Sequence, residues 1–83
     1  MNKPEVVVYS TPFCAPCEAL KRQLTAHGIA FQNRDLMMDE EAQELLEQHN
    51  IRTTPVLGIG DALYAGDALA PDKLLALFAA IKT

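Results

Sequence analysis

The sequence contains few of the cysteines and histidines that hold structural metal sites, namely two cysteines, Cys14 and Cys17, and two histidines, His27 and His49. A structural zinc site needs four ligands, and the two histidines fall in separate predicted helices, on faces that we expect to point into the core. This scarcity argues against a zinc site within one chain. A zinc ion or an iron–sulfur cluster shared by two chains through Cys14 stays open as an alternative, as does a pair of inert, buried cysteines.

Positive charge is also scarce, because seven lysines and arginines stand against eleven aspartates and glutamates, a formal net charge of −4. The charges are spread along the chain, which argues against a surface for nucleic acid or for an anionic membrane. No apolar run approaches the roughly 20 residues of a membrane-spanning helix, and no signal-peptide core is recognisable. We therefore expect a cytoplasmic protein. In that compartment thiols are kept reduced, and a lone cysteine pair is more often catalytic or metal-binding than structural.

Apolar residues are plentiful: 49 % of the 83 residues are hydrophobic, enough for one core, and we interpret residues 1–83 as a single domain with one site. Apolar spacing and turn residues predict elements in the order βαβαββα. The predicted elements are a strand at 6–9, a helix over 15–27 that Gly28 ends, a strand formed by 29–31 and 35–36, a helix over 39–50, a hairpin over 55–64 with a Gly60-Asp61 turn, and a helix from Pro71 onward. A parallel first unit and an antiparallel hairpin make a four-stranded mixed sheet flanked by three helices, an α/β thioredoxin-like fold.

The two cysteines lie at the junction of the first strand and the first helix. The first N–H groups of a helix are unpaired and its dipole is positive there, so we expect the pKa of the Cys14 thiol to be lowered. Cys17 lies one turn later, on the apolar face of the same helix, and should be the less exposed thiol. We therefore predict that Cys14 attacks a substrate and that Cys17 resolves the mixed disulfide. Pro16 is tolerated because the first turn of a helix does not need that N–H.

Several other residues are interpreted as structural. His27 and His49 each end a predicted helix, where an imidazole beside the last carbonyls is an ordinary C-cap. Met37 and Met38 are interpreted as core and loop filler. The predicted core face of the last helix consists of Leu74, Leu75, Phe78 and Ile81.

The order of motifs resembles a glutaredoxin over nearly the whole chain. A Val-rich strand is followed by Tyr-Ser-x-Pro-x-Cys-x-x-Cys, by Arg-Thr-x-Pro about forty residues later, and by a hairpin before the last helix. The resemblance implies a thiol–disulfide oxidoreductase that reduces protein disulfides or glutathione mixed disulfides. It also implies that Pro55 is cis and packs beside the disulfide, and that the Thr54 backbone pairs with substrate. The other substrate-binding residues that it implies are Thr11, Phe13, Arg52, Thr53, Gly66 and Asp67.

The sequence departs from the glutaredoxin pattern at positions that bear on the identity of the electron donor. Cys-Ala-Pro-Cys is closer to the Cys-Gly-Pro-Cys of thioredoxin than to the usual Cys-Pro-Tyr-Cys, although Phe13 stands where thioredoxin has tryptophan. Thr11 replaces a lysine common in the family, and a Gly-Gly turn is reduced to Gly66-Asp67. The segment from Gly66 to the last helix is similar to small redoxins that thioredoxin reductase reduces and that supply ribonucleotide reductase. We expect a monomer with no bound cofactor, which uses glutathione as co-substrate or, alternatively, a flavoprotein reductase.

Overall fold

The computed structural model of the protein describes residues 4–82, which form four strands and three α-helices in the predicted order βαβαββα. A short 3-10 turn at Gly66–Leu69 lies between the last strand and the last helix. The elements are β1 (Val6–Ser10), α1 (Ala15–Ala26), β2 (Gln32–Asp35), α2 (Glu40–Gln48), β3 (Val56–Ile59), β4 (Ala62–Ala65) and α3 (Pro71–Lys82).

The strands form one mixed sheet in the order β2-β1-β3-β4. β1 pairs in parallel with β2 and antiparallel with β3, and β3 pairs antiparallel with β4 across the two-residue turn of Gly60 and Asp61. Gly60 has φ +59°, a conformation that favours glycine. The predicted mixed sheet and its hairpin are therefore confirmed.

The apolar core lies on both faces of the sheet because side chains alternate along β1. Val6 and Val8 pack with α1 and α3, in a cluster that contains the almost fully buried Leu24 and Phe78. On the opposite face, Val7, Tyr9 and Val56 pack with Ala42 and Leu46 of α2. Helices thus cover both faces, as predicted. Within residues 4–82, none of the helices has the length and apolar character needed to cross a bilayer.

Strand β2 differs from the prediction. It consists of the polar residues Gln32–Asp35, whereas the sequence predicted a strand formed by residues 29–31 and 35–36. The reason is its position at the edge of the sheet, where pairing with β1 supplies the hydrogen bonds and the side chains reach solvent. The Ser10 hydroxyl donates to Asn33 Oδ1 at 2.7 Å, which adds a side-chain link between the two strands.

Several predicted core positions lie at the surface. Met37 and Met38 are 67 % and 83 % exposed, in the turn after β2, and do not fill the core. Leu75 is exposed because the core face of α3 is set by Leu74, Phe78 and Ile81, and Leu75 is rotated about 100° from Leu74.

The two histidines end their helices as predicted. His49 is exposed, contrary to the expectation that it faces the core, and its Nδ1 lies 3.0 Å from the Leu45 carbonyl. His27 is half-buried, with its ring centroid 4.9 Å from that of Phe78. After each histidine a residue with positive φ, Gly28 or Asn50, closes the helix, and the next N–H bonds back to the last turn.

Candidate active site

Cys14 is the N-cap residue of α1 and forms a disulfide with Cys17, with a Cα–Cα distance of 5.2 Å. Its backbone is extended, with φ −104° and ψ 100°, and its Sγ accepts a hydrogen bond from the Cys17 N–H at 3.2 Å. The sulfur therefore partners one of the N–H groups that a helix leaves unpaired at its start. Pro16 lies in the first turn of the helix, where no N–H donor is needed. The predicted placement of both cysteines is confirmed.

The two sulfurs differ in access to solvent. Cys14 is half-buried, whereas Cys17 is 0 % exposed and lies on the same helix face as the buried Leu20 and Leu24. A molecule approaching from solvent can reach the Cys14 sulfur but not the Cys17 sulfur.

The pairing of β1 with β3 brings a second segment to the disulfide. Tyr9 is opposite Val56, so the loop that follows β1 lies beside the residues that precede β3. The Thr54 Oγ1 is 3.6 Å from Cys14 Sγ and 3.4 Å from Thr11 Oγ1. The Thr54–Pro55 peptide bond is cis, as the resemblance implied. The resemblance assigned a role to the backbone of Thr54 and gave no signal for its hydroxyl contact with the sulfur.

A cavity of about 360 Å³ opens beside this pair of threonines. Four of the residues expected to bind substrate line it, namely Thr11, Arg52, Thr53 and Thr54. Met37, Gln43 and Glu47 line the same cavity but were not predicted from the sequence to bind substrate. One signal could have found the residues from α2: Gln43 and Glu47 each follow a buried residue of that helix, so they flank the stripe that faces the sheet.

The remaining predicted residues lie outside that cavity. Phe13 is fully exposed beside Cys14 and has φ +59°, in the left-handed region that non-glycine residues seldom adopt. Gly66 and Asp67 are exposed residues of the 3-10 turn after β4, and Gly66 has φ +58°.

The start of α2 is held by an ion pair beside the sheet. The Arg34 Nε lies 2.6 Å from Asp39 Oδ2, and the other oxygen of Asp39 accepts the Ala42 N–H. The Arg34 hydrogen bond, with a smaller contribution from the Ala42 N–H, holds the pKa of Asp39 below its usual value, and the same bond raises the pKa of Arg34. The Arg34 guanidinium carbon is also 5.9 Å from the centre of the Tyr9 ring. These contacts fix the helix that forms one wall of the cavity.

Among residues 4–82, no group of three or more histidine, cysteine, aspartate or glutamate side chains is placed so that it could hold a metal ion.

Comparison with known proteins identifies the family. A family model described as "Glutaredoxin" matches residues 6–63, which include both cysteines, β3 and the Gly60-Asp61 turn. The chain belongs to the glutaredoxin family.

Two curated relatives of this glutaredoxin-family chain match its sequence. One is the N-acetyl-S-hydroxy-L-cysteine reductase of Bacillus subtilis (strain 168), 36 % identical over 56 residues that cover 66 % of this chain and 60 % of that protein. The other is the Gene 56 protein of Mycobacterium phage L5, 40 % identical over 53 residues that cover 63 % of this chain and 52 % of that protein. The chain thus spans about half to three-fifths of the length of these relatives.

A similar solved structure is that of the glutaredoxin-like protein NrdH-redoxin from Escherichia coli. It has a TM-score of 0.76 and 29 % identity and covers 88 % of this chain and 93 % of that one. The predicted thioredoxin-like fold is confirmed, and the chain is a glutaredoxin-type redoxin with a Cys14–Cys17 pair.

Proposed function

We propose that the protein is a thiol–disulfide oxidoreductase that reduces protein disulfides and glutathione mixed disulfides. One observation carries the proposal: a half-buried Cys14 at the start of a helix is bonded to a Cys17 that is fully buried. This asymmetry gives the two sulfurs different tasks in a thiol exchange.

In the first step the Cys14 thiolate attacks a sulfur of the substrate disulfide. A bond forms between Cys14 and that sulfur, the substrate S–S bond breaks, and the other substrate sulfur leaves as a thiolate that takes up a proton. The Cys17 N–H and the Thr54 hydroxyl both contact the Cys14 sulfur and stabilise its negative charge before the attack. The backbone of Thr54, beside the Cys14 sulfur, pairs with the substrate chain in this scheme, as the resemblance to glutaredoxins implies.

In the second step Cys17 loses its proton and attacks the Cys14 sulfur of the mixed disulfide. The Cys14–Cys17 bond forms, the Cys14–substrate bond breaks, and the second substrate sulfur leaves as a thiolate that takes up a proton in place of the one that Cys17 lost. The substrate has gained two electrons and two protons, and the protein holds the disulfide seen in the structure. Because Cys17 is buried, it reaches the neighbouring Cys14 sulfur more readily than a sulfur in solution.

The test compares single cysteine variants. Cys14→Ser should abolish reduction of disulfides. Cys17→Ser should accumulate a mixed disulfide at Cys14, detected by mass spectrometry, and should keep any activity that needs one thiol and external glutathione. Substantial dithiol activity in the Cys14→Ser variant would refute the scheme. Partners trapped by Cys17→Ser identify the protein substrate.

The electron donor is a separate part of the proposal. Arg52, Thr53 and Gly66 support glutathione as the electron donor. Thr11 in place of a lysine removes one charge-assisted hydrogen bond, worth roughly 1.5 to 3 kcal/mol, so glutathione should bind more weakly by about tenfold or more. We expect detectable but poor turnover with glutathione. A flavoprotein reductase is the second candidate, supported by the similarity to the E. coli redoxin, whose structure is described as that of a glutaredoxin-like protein with a thioredoxin-like activity profile. An NADPH-coupled assay compares the two donors, with either glutathione plus glutathione reductase or thioredoxin reductase as the electron source. Efficient turnover with thioredoxin reductase alone favours the flavoprotein reductase.

A second candidate substrate class comes from the Bacillus subtilis relative, whose name describes reduction of an S-hydroxy-cysteine. The same two steps reduce such a compound. Cys14 attacks its sulfur, the S–O bond breaks, hydroxide leaves and becomes water, and Cys17 then releases the thiol. Rates measured with N-acetylcysteine sulfenic acid, generated in situ, and with a mixed disulfide of N-acetylcysteine would rank the two classes. A sulfenic acid that reacts no faster with the protein than with free cysteine would remove this candidate.

We further propose that the protein acts in the cytoplasm as a monomer without a resident cofactor. Sedimentation of the purified protein tests its oligomeric state. Metal analysis and the absorbance spectrum test the alternative in which two chains share a metal ion or a cluster through Cys14.

A further inference from the structure

The cavity beside the reactive sulfur contains one acidic side chain that the proposed chemistry does not use. We propose that Glu47 is a specificity-determining residue, which disfavours anionic substrates such as oxidised glutathione at Cys14 and favours cationic ones. The proposal rests on the proposed function, because it concerns the disulfides that Cys14 attacks.

The cavity is placed to receive the body of a substrate bound at Cys14. The Thr54 hydroxyl contacts the Cys14 sulfur, and Thr54 also lines the cavity together with Thr11. A substituent on a sulfur that reacts with Cys14 therefore has this cavity as its neighbour. Charges on the cavity wall act on that substituent, whereas they leave an uncharged substituent unaffected.

The charged side chains that line the cavity are Arg52 and Glu47. In the part of the chain that the structure describes, neither forms an ion pair, and both residues are exposed. A substrate carboxylate attracted to Arg52 must therefore enter a space that also holds the Glu47 carboxylate. The two charges sum to zero, so the cavity has no net attraction for an anion.

The helix dipole at the position of Glu47 also disfavours an anion in the cavity. Glu47 lies in the last turn of α2, which has no basic residue, and the negative end of a helix dipole is at its C-terminus. The wall formed by α2 thus repels anions through both a side-chain charge and a backbone dipole. Arg52, on the segment after α2, attracts anions and so opposes both the Glu47 charge and the helix dipole.

The size of the effect follows from the dimensions of the cavity. A volume of 360 Å³ is about 7 Å across. Coulomb's law for two unit charges at about 7 Å in water corresponds to roughly a threefold change in rate or affinity. The water value applies because Glu47 is exposed, and it also means that salt screens the effect.

The experiment measures how fast three disulfides oxidise the reduced protein at low ionic strength. They are oxidised glutathione, which is anionic, bis(2-hydroxyethyl) disulfide, which is uncharged, and cystamine, which is cationic. Each reaction consumes one disulfide and the two protein thiols and yields two small thiols and the Cys14–Cys17 disulfide. The reaction is stopped with acid at set times, and mass spectrometry measures the fraction of the protein that has formed the disulfide. The proteins are wild type, Glu47→Gln and, as a matched control, Glu44→Gln, which removes an equal charge from an exposed position of α2 outside the cavity.

We expect Glu47→Gln to react about three times faster than wild type with oxidised glutathione, equally fast with the uncharged disulfide, and about three times more slowly with cystamine. Glu44→Gln should match wild type with all three. The rate ratios between Glu47→Gln and wild type should approach unity at about 1 M salt, where the Debye length is about 3 Å.

Three results would overturn the proposal: an equal change with all three disulfides, which indicates a structural role; no change with any of them; or the same change in Glu44→Gln, which indicates mean surface charge. Failure of the proposed function has a different signature. In that case wild type reacts with all three disulfides no faster than free cysteine, while the ratio between Glu47→Gln and wild type still reports on the cavity.

Discussion

The hydroxyl of Thr54 is expected to set how much of Cys14 is present as thiolate. In the structure Thr54 Oγ1 lies 3.6 Å from the Cys14 sulfur, and Thr11 Oγ1 lies 3.4 Å from Thr54 Oγ1. If Thr11 donates to Thr54, the hydrogen of the Thr54 hydroxyl is free to point at the sulfur. Valine has the shape of threonine without the hydroxyl, so Thr54→Val removes this donor and little else.

The magnitude follows from the chemistry of one hydrogen bond. A donor to a thiolate stabilises the charged form more than the thiol, and a single bond contributes about 1 kcal/mol net. The sulfur keeps its other donor, the Cys17 N–H at 3.2 Å, so the loss is partial. About 1 kcal/mol corresponds to roughly a fivefold decrease in the thiolate population at a pH where the thiol predominates.

The assay is the rate at which iodoacetamide alkylates Cys14 in the reduced protein, measured as a function of pH. Thr54→Val should react roughly fivefold more slowly near neutral pH and equally fast at alkaline pH, where Cys14 is fully ionised. The control is Thr53→Val, because Thr53 is the exposed neighbour and, among the described residues, forms no hydrogen bond with the sulfur. Identical profiles for Thr54→Val and wild type would refute the role of the hydroxyl, and an equal slowing at every pH would assign the effect to access instead.

Three further predictions concern the surroundings of the disulfide. In the reduced protein Cys14 should be alkylated before Cys17, since Cys17 is 0 % exposed; peptide mapping that finds Cys17 labelled first would reverse their roles. Phe13→Gly should raise the free energy of urea unfolding of the oxidised protein by about 1 kcal/mol, because φ is +59° there, whereas Phe13→Ala should not raise it. An equal gain in both variants would show that the backbone is not the cause. Asp39→Asn keeps an oxygen that can cap α2 but loses the charge paired with Arg34. Because the pKa of Asp39 is lowered in the folded protein, wild type should be more stable than Asp39→Asn near neutral pH. The difference in the free energy of unfolding should disappear as the pH falls from about 4 through the lowered pKa. A constant difference in urea titrations over that range would contradict the ion-pair explanation.

The sequence predicted those parts of the fold that local signals determine. The run of valines before Tyr9 marks β1. Gly28, which has φ +71° and lies two residues after the last residue of α1, marks the end of that helix. The Gly60-Asp61 pair marks the hairpin for a similar reason. Each of these features depends on what a few neighbouring residues can do, so it can be recognised without knowledge of the tertiary structure.

Features that depend on packing between distant segments were not predictable in the same way. Nothing in the polar run of β2 marks a strand, because its pairing partner β1 supplies the reason for its conformation. The contact of Thr54 with the Cys14 sulfur needs the pairing of β1 with β3. The cavity shared by Glu47 and Arg52 needs α2 docked on the sheet, and their charges alone gave no indication of it.

The register between β1 and β3 makes the chemistry of the thiols depend on completed folding. The Cys14 sulfur and the Thr54 hydroxyl are 40 positions apart in the sequence and meet only after the two strands have paired. Contacts between distant positions form later than the local hydrogen bonds of a helix. A nascent chain that has formed α1 but not the sheet therefore carries both thiols without the hydroxyl or the cavity. In such a chain Cys14 lacks one hydrogen-bond donor to its sulfur, so Cys14 is a weaker nucleophile there than in the finished protein.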